Sequence, residues 1–502
     1  MPVLHPDFWR LLSPEWVLVL FGTMFMLLSA LSGGKKLRMG IGVLSVAGMG
    51  VALVLCFQTL AALGPGMKVP VLVGLGGDVG LVVDAFSQSF KVIVLIGGIL
   101  TVLMSFKSLE EEKAWTGEYF TFITFAVFGM MIMASGNDLL TLWVGLETMA
   151  LSVYVLAAYL RRKEHSVEGA TKYFLLGAFS SGFYLYGASL IYGATGSVHL
   201  DAIREALAAK MAQGGLDAIG FPLGAGIVIM AVALLFKAAL VPFHWWTPDA
   251  YEGAITPITG FMSVAPKAAA FAMALRIFVG GLMPVSEKWV ALLSLVAIVT
   301  MFWGNIAAML QQNVKRMLAY SSVAHAGYFL VGLIATGKAG TDRGVQAVVY
   351  YLLAYAFMNM GAFGLVLYLQ REGSAGDSFD DFNDLIRRRP AVAVLMILFL
   401  LSLGGIPPLA GFMGKFLIFS AAVTAKLYLL AVVLAVTSVI GMYYYFRLIL
   451  HMFLKDNEKP AEVSAGRPLA IALALCGAGV LVAGIYAQPF LNWVGRAVLV
   501  AH

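Results

Sequence analysis

Apolar runs of about eighteen or more residues recur from one end of this 502-residue chain to the other, separated by short polar stretches. Each run is long enough to cross a hydrocarbon core of about 30 Å as a helix. About fourteen are present, near 15–32, 39–63, 82–106, 117–136, 138–160, 168–195, 222–242, 256–280, 287–310, 314–336, 343–370, 391–420, 426–452 and 466–490. Inside a bilayer the backbone must satisfy its own polar groups, which leaves helices or a closed barrel. A barrel strand reads as about ten residues of alternating polarity, whereas these runs are continuous and rich in Leu, Ala, Gly and Met. The expected fold is therefore an all-α polytopic membrane protein.

Composition excludes the soluble alternative. The chain is 61% hydrophobic and 12% charged with a mean hydropathy of +0.90, against about 45–50% apolar and 25% charged residues in soluble domains. The first run resembles a secretory segment ending at Ser29-Ala30-Leu31-Ser32, but with many later spans it is expected to be retained. Loops expected on one side, including those with Lys35, Lys36, Arg161, Arg162, Lys163, Arg387, Arg388 and Arg389, collect seventeen Lys and Arg, and the other side holds nine. The positive-inside rule then places both termini outside, on the periplasmic face of a bacterial inner membrane. The net charge of +6 follows this loop bias and gives no reason to expect nucleic acid.

Cys56 and Cys476 lie inside apolar runs, far from any metal-ligand spacing. Gly74-Leu75-Gly76-Gly77-Asp78-Val79-Gly80 fits neither a dinucleotide fingerprint nor a phosphate loop. No redox or nucleotide chemistry is therefore expected in this chain, and no cofactor or metal of its own.

Residues 1–502 are expected to form one transmembrane domain: helices 1–3 in 1–110, a five-helix block in 117–280 (helices 4–8), a second in 287–452 (helices 9–13), and helix 14 in 466–502. Short loops make successive helices antiparallel neighbours. The 197–221 connection, with Leu200, Ile203, Leu207 and Met211 at helical spacing, is expected to be an amphipathic helix on the outer surface, and 371–390 a solvated lateral helix on the inner side. Helix 7 must break after Lys237-Ala238-Ala239-Leu240-Val241-Pro242, and helix 12 at Gly404-Gly405-Ile406-Pro407-Pro408. Broken backbone in a bilayer is tolerated where protein or water satisfies the freed groups, so these breaks mark cavities. Their matching positions in two blocks suggest the inverted repeats of secondary transporters.

Ionisable residues inside the runs carry the chemistry, because a charge at the bilayer centre costs about 2.5–3.5 kcal/mol even on a lenient scale. These are Glu147, Lys237, Lys267 and Lys415, with His325 among small residues as a further candidate. At a rise of about 1.5 Å per residue, Glu147 lies about 14 Å and Lys237 about 21 Å from the outer ends of their helices, and Lys267 about 16 Å from its inner end. A file of groups in one central band suggests proton transfer along the membrane plane. Burial disfavours the charged form of each group and an adjacent opposite charge restores it. A Glu147–Lys237 pair would therefore act as a switch, whose separation makes Lys237 a proton donor to Lys267 and then Lys415. A buried lysine can also be purely structural; that reading suits Lys91, Lys172 and Arg276, while Asp84, Tyr350, Tyr351 and Asn359 are candidates to line a hydrated path.

Three stretches resemble a known family: Phe236-Lys237-Ala238-Ala239-Leu240-Val241-Pro242-Phe243-His244-Trp245-Trp246-Thr247-Pro248-Asp249-Ala250-Tyr251-Glu252-Gly253-Ala254, Asn313-Val314-Lys315-Arg316-Met317-Leu318-Ala319-Tyr320-Ser321-Ser322, and Gly405-Ile406-Pro407-Pro408-Leu409-Ala410-Gly411-Phe412-Met413-Gly414-Lys415-Phe416. They resemble the antiporter-like membrane subunits of proton-pumping NADH:quinone oxidoreductase, respiratory complex I, and the first ends as subunit N members do. The chain departs from that pattern at Ile255, where proline is usual. The resemblance implies fourteen helices, a Glu147–Lys237 pair between helices 5 and 7, Lys267 as connecting group and Lys415 as terminal lysine. Subunit M carries glutamate at that last place and subunit L a long lateral helix; Lys415 and the end of the chain at His502 point away from both. The implied partners are the other membrane-arm subunits, including subunit M and the small subunit K. NADH, FMN, iron–sulfur clusters and quinone are implied in partner subunits. A subunit of a multi-subunit Na+/H+ antiporter is the alternative within the same fold, and a passive membrane scaffold the alternative outside it.

Overall fold

The computed structural model describes residues 3–31, 35–64, 66–73, 79–215, 220–370, 376–456 and 466–500. The glycine cluster at 74–78 lies outside the described residues. A short turn, α1 (Phe8–Leu11), precedes six long helices: α2 (Ser13–Leu31), α3 (Lys35–Ala62), α4 (Ala85–Glu111), α5 (Glu118–Ser135), α6 (Leu139–Ala157) and α7 (Glu164–Thr195). Next come α8 (Leu200–Gly214), the broken pair α9 (Phe221–Lys237) and α10 (Trp246–Gly253), and α11 (Thr256–Leu275), which runs on as a wider π-helical turn, Arg276–Gly281. The second half holds α12 (Ser286–Met309), α13 (Val314–Ala339), α14 (Arg343–Leu369), the short α15 (Leu385–Arg388), the broken pair α16 (Pro390–Gly404) and α17 (Ala410–Thr424), α18 (Tyr428–Leu454), α19 (Gly466–Ile485) and α20 (Gln488–Val494).

Among the described residues twelve helices are long and apolar enough to cross a membrane. The two broken pairs add two crossings, which makes the fourteen expected and returns the chain to the face on which it starts.

Both breaks close in the same way. Past Lys237 the Ala239 N–H bonds the Phe236 carbonyl at 3.0 Å and the Leu240 N–H reaches back to Leu235 at 2.9 Å. Past Gly404 the Gly405 N–H bonds Ser402 at 3.0 Å and the Ile406 N–H reaches back to Leu401 at 3.0 Å. This is the double hydrogen bond of a helix that ends on a left-handed residue. Ala239 and Gly405 supply that residue, with φ of 59° and 89°. The prolines that follow cannot rejoin the helix.

Helices α11, α13 and α14 are enclosed by the others, with 94% of each apolar window buried, whereas α2, α3, α7, α12, α18 and α19 are less than half buried and turn an apolar face outward. The enclosed helices carry Lys267, His325, Tyr351, Tyr355 and Asn359. Polar side chains thus sit where other helices, rather than lipid, surround them. Close approach of α5 and α6 helps to set the position of Glu147: a Cβ at Gly129 would lie 2.5 Å from the Met149 nitrogen, and one at Gly145 would lie 2.9 Å from the Gly129 oxygen.

Three features depart from the expectation. An antiparallel sheet in the order β1 (Val3–Leu4), β2 (Lys68–Val73), β3 (Val79–Asp84) covers the ends of α2–α4 on the face of the termini, hereafter the sheet face. Its Val69, Val71, Leu81 and Val83 pack with Leu12 and Leu63 in a small separate core. Its β2 and β3 runs are rich in valine, Val69, Val71, Val73, Val79, Val82 and Val83, and β-branched residues favour strands. The 376–390 part of the inner connection is no continuous lateral helix: a 3-10 turn at Phe379–Phe382 and α15 bury Phe379, Phe382 and Leu385. The Arg276–Gly281 π-turn was not foreseen either. The amphipathic α8 does lie on the sheet face, with Leu200, Ile203 and Leu207 buried.

Gly145→Val forces two branched carbons against backbone that cannot retreat, an overpacking cost of about 1–3 kcal/mol. The expected outcome is less assembled protein and a lower melting temperature, read by fluorescence-detected size exclusion of membranes heated in detergent.

Candidate proton-transfer site

The sequence-selected residues occupy three linked groups. The first surrounds Lys237, the last residue of α9 and only 5% exposed. Its ammonium donates to the Tyr154 hydroxyl at 3.1 Å and sits over the Tyr154 ring at 5.6 Å. Tyr154 and Glu147 lie seven residues apart, two turns along one face of α6. Room for the tyrosine comes from Gly177 on α7, where any Cβ would overlap the Tyr154 hydroxyl. Glu147 is half-buried and accepts from the Ser181 hydroxyl at 2.6 Å, which in turn accepts from the Trp143 indole at 2.9 Å.

The expected Glu147–Lys237 pair takes an electrostatic form, without a hydrogen bond. No ion pair joins the two among the described residues; the carboxylate acts on the lysine electrostatically, while the hydrogen bonds go to Ser181 and Tyr154. A neutral partner on each side leaves two charges that attract without being locked together.

The second group surrounds Lys267 on α11, 1% exposed. Its ammonium donates to the Ser322 hydroxyl at 2.7 Å and the Ser322 carbonyl at 2.8 Å, and lies 5.9 Å from the centre of the Tyr251 ring. Pro266 precedes it within the helix, and proline frees a carbonyl in the preceding turn. His244, in the helix-7 break that follows Lys237, is 3% exposed, packed on the rings of Trp245, Trp303 and Tyr320 and within electrostatic reach of Lys267.

The third group is centred on Lys415 of α17, 8% exposed. Its ammonium donates to the Gly404 carbonyl at 3.0 Å, an oxygen released by the helix-12 break, and lies over the Tyr328 ring at 5.1 Å. A Cβ at Gly405 would come within 3.0 Å of the Lys415 side chain, so the glycine serves both the left-handed turn and the lysine.

His325 joins the second and third groups. Its imidazole feels both Lys267 and Lys415, and each ring nitrogen faces a tyrosine: Nδ1 to the Tyr351 hydroxyl at 2.8 Å and Nε2 to the Tyr445 hydroxyl at 3.4 Å. Tyr445 also bonds the Ser321 hydroxyl at 2.5 Å. A neutral imidazole carries one donor and one acceptor nitrogen, so either tautomer fits between two hydroxyls. Such a group can accept a proton on one side and release one on the other.

Four of the other charged or polar residues take local partners. Arg276 holds Asp84 through two bonds of 2.8 Å, and Asp84 also caps α4. Lys91 pairs with Glu15 at 2.6 Å, both buried. Lys172 pairs with Glu168 and Asp249 at 2.7 Å. Asn359 donates to Ser263 at 2.6 Å. Sequence reasoning did not select Tyr154, Ser181, Ser322, Tyr445 or His244. His244 was marked by its place near membrane depth without a role, and the others were missed because spacing along the chain says nothing about a neighbour 83 or 120 residues away.

Two of the three motif stretches meet in space. Arg316 pairs with Asp249 at 3.1 Å and Glu252 at 2.6 Å, and the Lys315 ammonium caps the Glu252 and Ala254 carbonyls. The family described as NADH:quinone oxidoreductase/Mrp antiporter, TM, matches residues 136–441, a span that includes these motifs and all five candidate residues. This chain belongs to that family. Among its members, NADH-quinone oxidoreductase subunit N 1 of Koribacter versatilis is 47% identical over 416 residues, covering 82% of this chain and 81% of that protein. Subunit N 1 of Solibacter usitatus is 40% identical over 495 residues, covering 98% and 97%. A chain of respiratory complex I from Thermus thermophilus with bound aureothin superposes with a TM-score of 0.77 at 32% identity, over 96% of this chain and 99% of that one. The fold extends to the Mrp complex of Dietzia, TM-score 0.82 at 20% identity, over 97% and 96%. In the NADH:quinone oxidoreductase/Mrp antiporter family, then, this chain has its 40–47% relatives among subunits N.

Two substitutions probe the hydrogen bonds. Tyr154→Phe removes the acceptor of Lys237, and Ser322→Ala removes one of two acceptors of Lys267. A hydrogen bond to a charged group contributes about 1.5–3 kcal/mol, so each variant is expected to slow proton transfer about tenfold or more. Fluorescent-dye measurement of proton uptake by inverted vesicles, normalised to assembled complex on native gels, checks both; unchanged uptake would remove these residues from the path.

Proposed function

We propose that this chain is the antiporter-like subunit N of a NADH:quinone oxidoreductase, moving protons across a bacterial inner membrane while partner subunits pass electrons from NADH to quinone. The observation that carries this reading is the set of three buried lysines held by neutral oxygens, with a half-buried glutamate at one end and a two-sided imidazole between the last two lysines. A structural salt bridge would have an opposite charge locked against each lysine; among the described residues no ion pair involves Lys237, Lys267 or Lys415.

The proposed sequence starts with Glu147. Its charge favours the ammonium form of Lys237, and a neighbouring subunit that pulls the carboxylate away or neutralises it makes Lys237 a donor. The proton then moves by way of the His244 region to Lys267, through Ser322, His325 and Tyr445 to Lys415, and out by a half-channel. Helices 4–8 and 9–13 form the two inverted repeats in this reading; the matching closure of the helix-7 and helix-12 breaks supports it. The loop charge bias puts both termini in the periplasm.

Two flanks suit the neighbours, subunits M and K. On α6, Leu140 and Val144, toward the sheet face, are exposed on the same stripe as Glu147, and a carboxylate facing hydrocarbon at that depth needs cover. On the opposite flank Phe416, beside Lys415, and Val432, Val436, Val439 and Tyr443 of α18 are exposed. NADH, FMN, iron–sulfur clusters and quinone belong to the partner subunits.

Lys237→Ala and Glu147→Gln are expected to leave the complex assembled but to lower NADH-driven proton uptake several-fold. Uptake equal to that of the parent complex in both variants would favour a passive scaffold. Dependence of ion movement on Na+ rather than on the proton gradient would favour the Na+/H+ antiporter reading.

A further inference from the structure

A groove of about 900 Å³ opens between α5 and α6 on the face opposite the sheet. Its walls come from the α4–α5 loop, the first turns of α5, the last turn of α6 and the α6–α7 loop. The two ends of the groove differ in chemistry. Toward the aqueous face the rim carries Lys113, Arg161, Arg162 and Lys163 against Glu112 and Glu118, four cations to two carboxylates. Toward the membrane interior the floor is Phe122 and Val155.

The rim is already organised. Lys163 pairs with Glu112 at 2.7 Å, and the Tyr159 hydroxyl bonds Thr116 at 2.8 Å and the Ala114 carbonyl at 2.6 Å. These contacts tie the two loops together and fix the back wall. Arg161 and Arg162 stand outside this network, both exposed at the mouth. The unbalanced charge of the rim therefore resides on two adjacent guanidiniums, whose planar forks suit a phosphate. They sit where a lipid headgroup layer would be, directly above an apolar floor that continues along exposed Val155 and Leu151 of α6.

We propose that this groove binds an anionic glycerophospholipid, its phosphate held by Arg161 and Arg162 and an acyl chain lying over Phe122 and Val155. Charge complementarity selects the anionic headgroup, because basic pockets at the inner ends of membrane helices attract anionic lipid headgroups. The apolar floor selects an amphiphile over free phosphate. This inference does not rest on the proton-transfer reading.

The intact complex containing this chain, in nanodiscs of phosphatidylcholine, is exposed to photoactivatable phosphatidylglycerol or phosphatidylcholine bearing a diazirine on the acyl chain, and labelled peptides are mapped by mass spectrometry. Labelling of the Phe122 and Val155 segments by the glycerol lipid, weaker with the choline lipid, and reduced about tenfold or more in Arg161→Gln/Arg162→Gln, is the expected result. Both substitutions are at exposed loop positions, and native gels confirm assembly. Equal labelling by the two lipids, unchanged labelling in the double variant, or no labelling of these segments because a neighbouring subunit fills the groove would each overturn the proposal.

Discussion

An ammonium group in a hydrocarbon-like interior must keep its donors bonded, and much of this structure answers to that demand. Lys237 finds a tyrosine hydroxyl, Lys267 a serine hydroxyl and carbonyl, and Lys415 a carbonyl released where helix 12 is interrupted. Each acceptor is neutral. A carboxylate locked against the amine would hold its proton tightly, whereas a neutral oxygen meets the hydrogen-bonding need without setting the charge. The helix break is thus more than a kink: it places backbone oxygen at membrane depth, and the left-handed Gly405 gives the lysine room to reach it.

The enclosure of α11, α13 and α14 follows from the same demand. Their polar side chains would be costly against lipid, so the surrounding helices turn apolar faces outward and leave the centre for Lys267, Ser322, His325 and their tyrosines. Close packing makes this feasible. Gly177 clears space for Tyr154, and a Cβ at Gly414 would overlap the Tyr351 ring, so the tyrosines stand against backbone without side chains between. Glu147 is the exception, half-buried on a stripe of exposed apolar residues. Its position at the edge suits a charge meant to be read by, or to respond to, another chain.

Much of this was legible in the sequence. The spans, their number and the two breaks followed from apolar length and proline, and the ionisable residues stood out because charge is rare in such runs. The Glu147–Lys237 pair acts through charge alone, since Tyr154 and Ser181 take the hydrogen bonds. The sheet on the terminal face and the paired turns at 379–388 were missed because short segments between spans carry little periodicity, and their form depends on the surface beneath them.

Hydrophobic length and the cost of buried charge act locally along the chain, so the sequence by itself determined the helical membrane architecture, the two interruptions and the identity of Glu147, Lys237, Lys267, Lys415 and His325 as the residues that need explaining. Hydrogen-bond partners are chosen across helices brought together from distant parts of the chain. Only the tertiary structure therefore decided that neutral oxygens hold the lysines, that His325 lies between two tyrosines and two lysines, and that Glu147 faces the edge. Those pairings depend on helix packing, which no spacing within a single helix encodes.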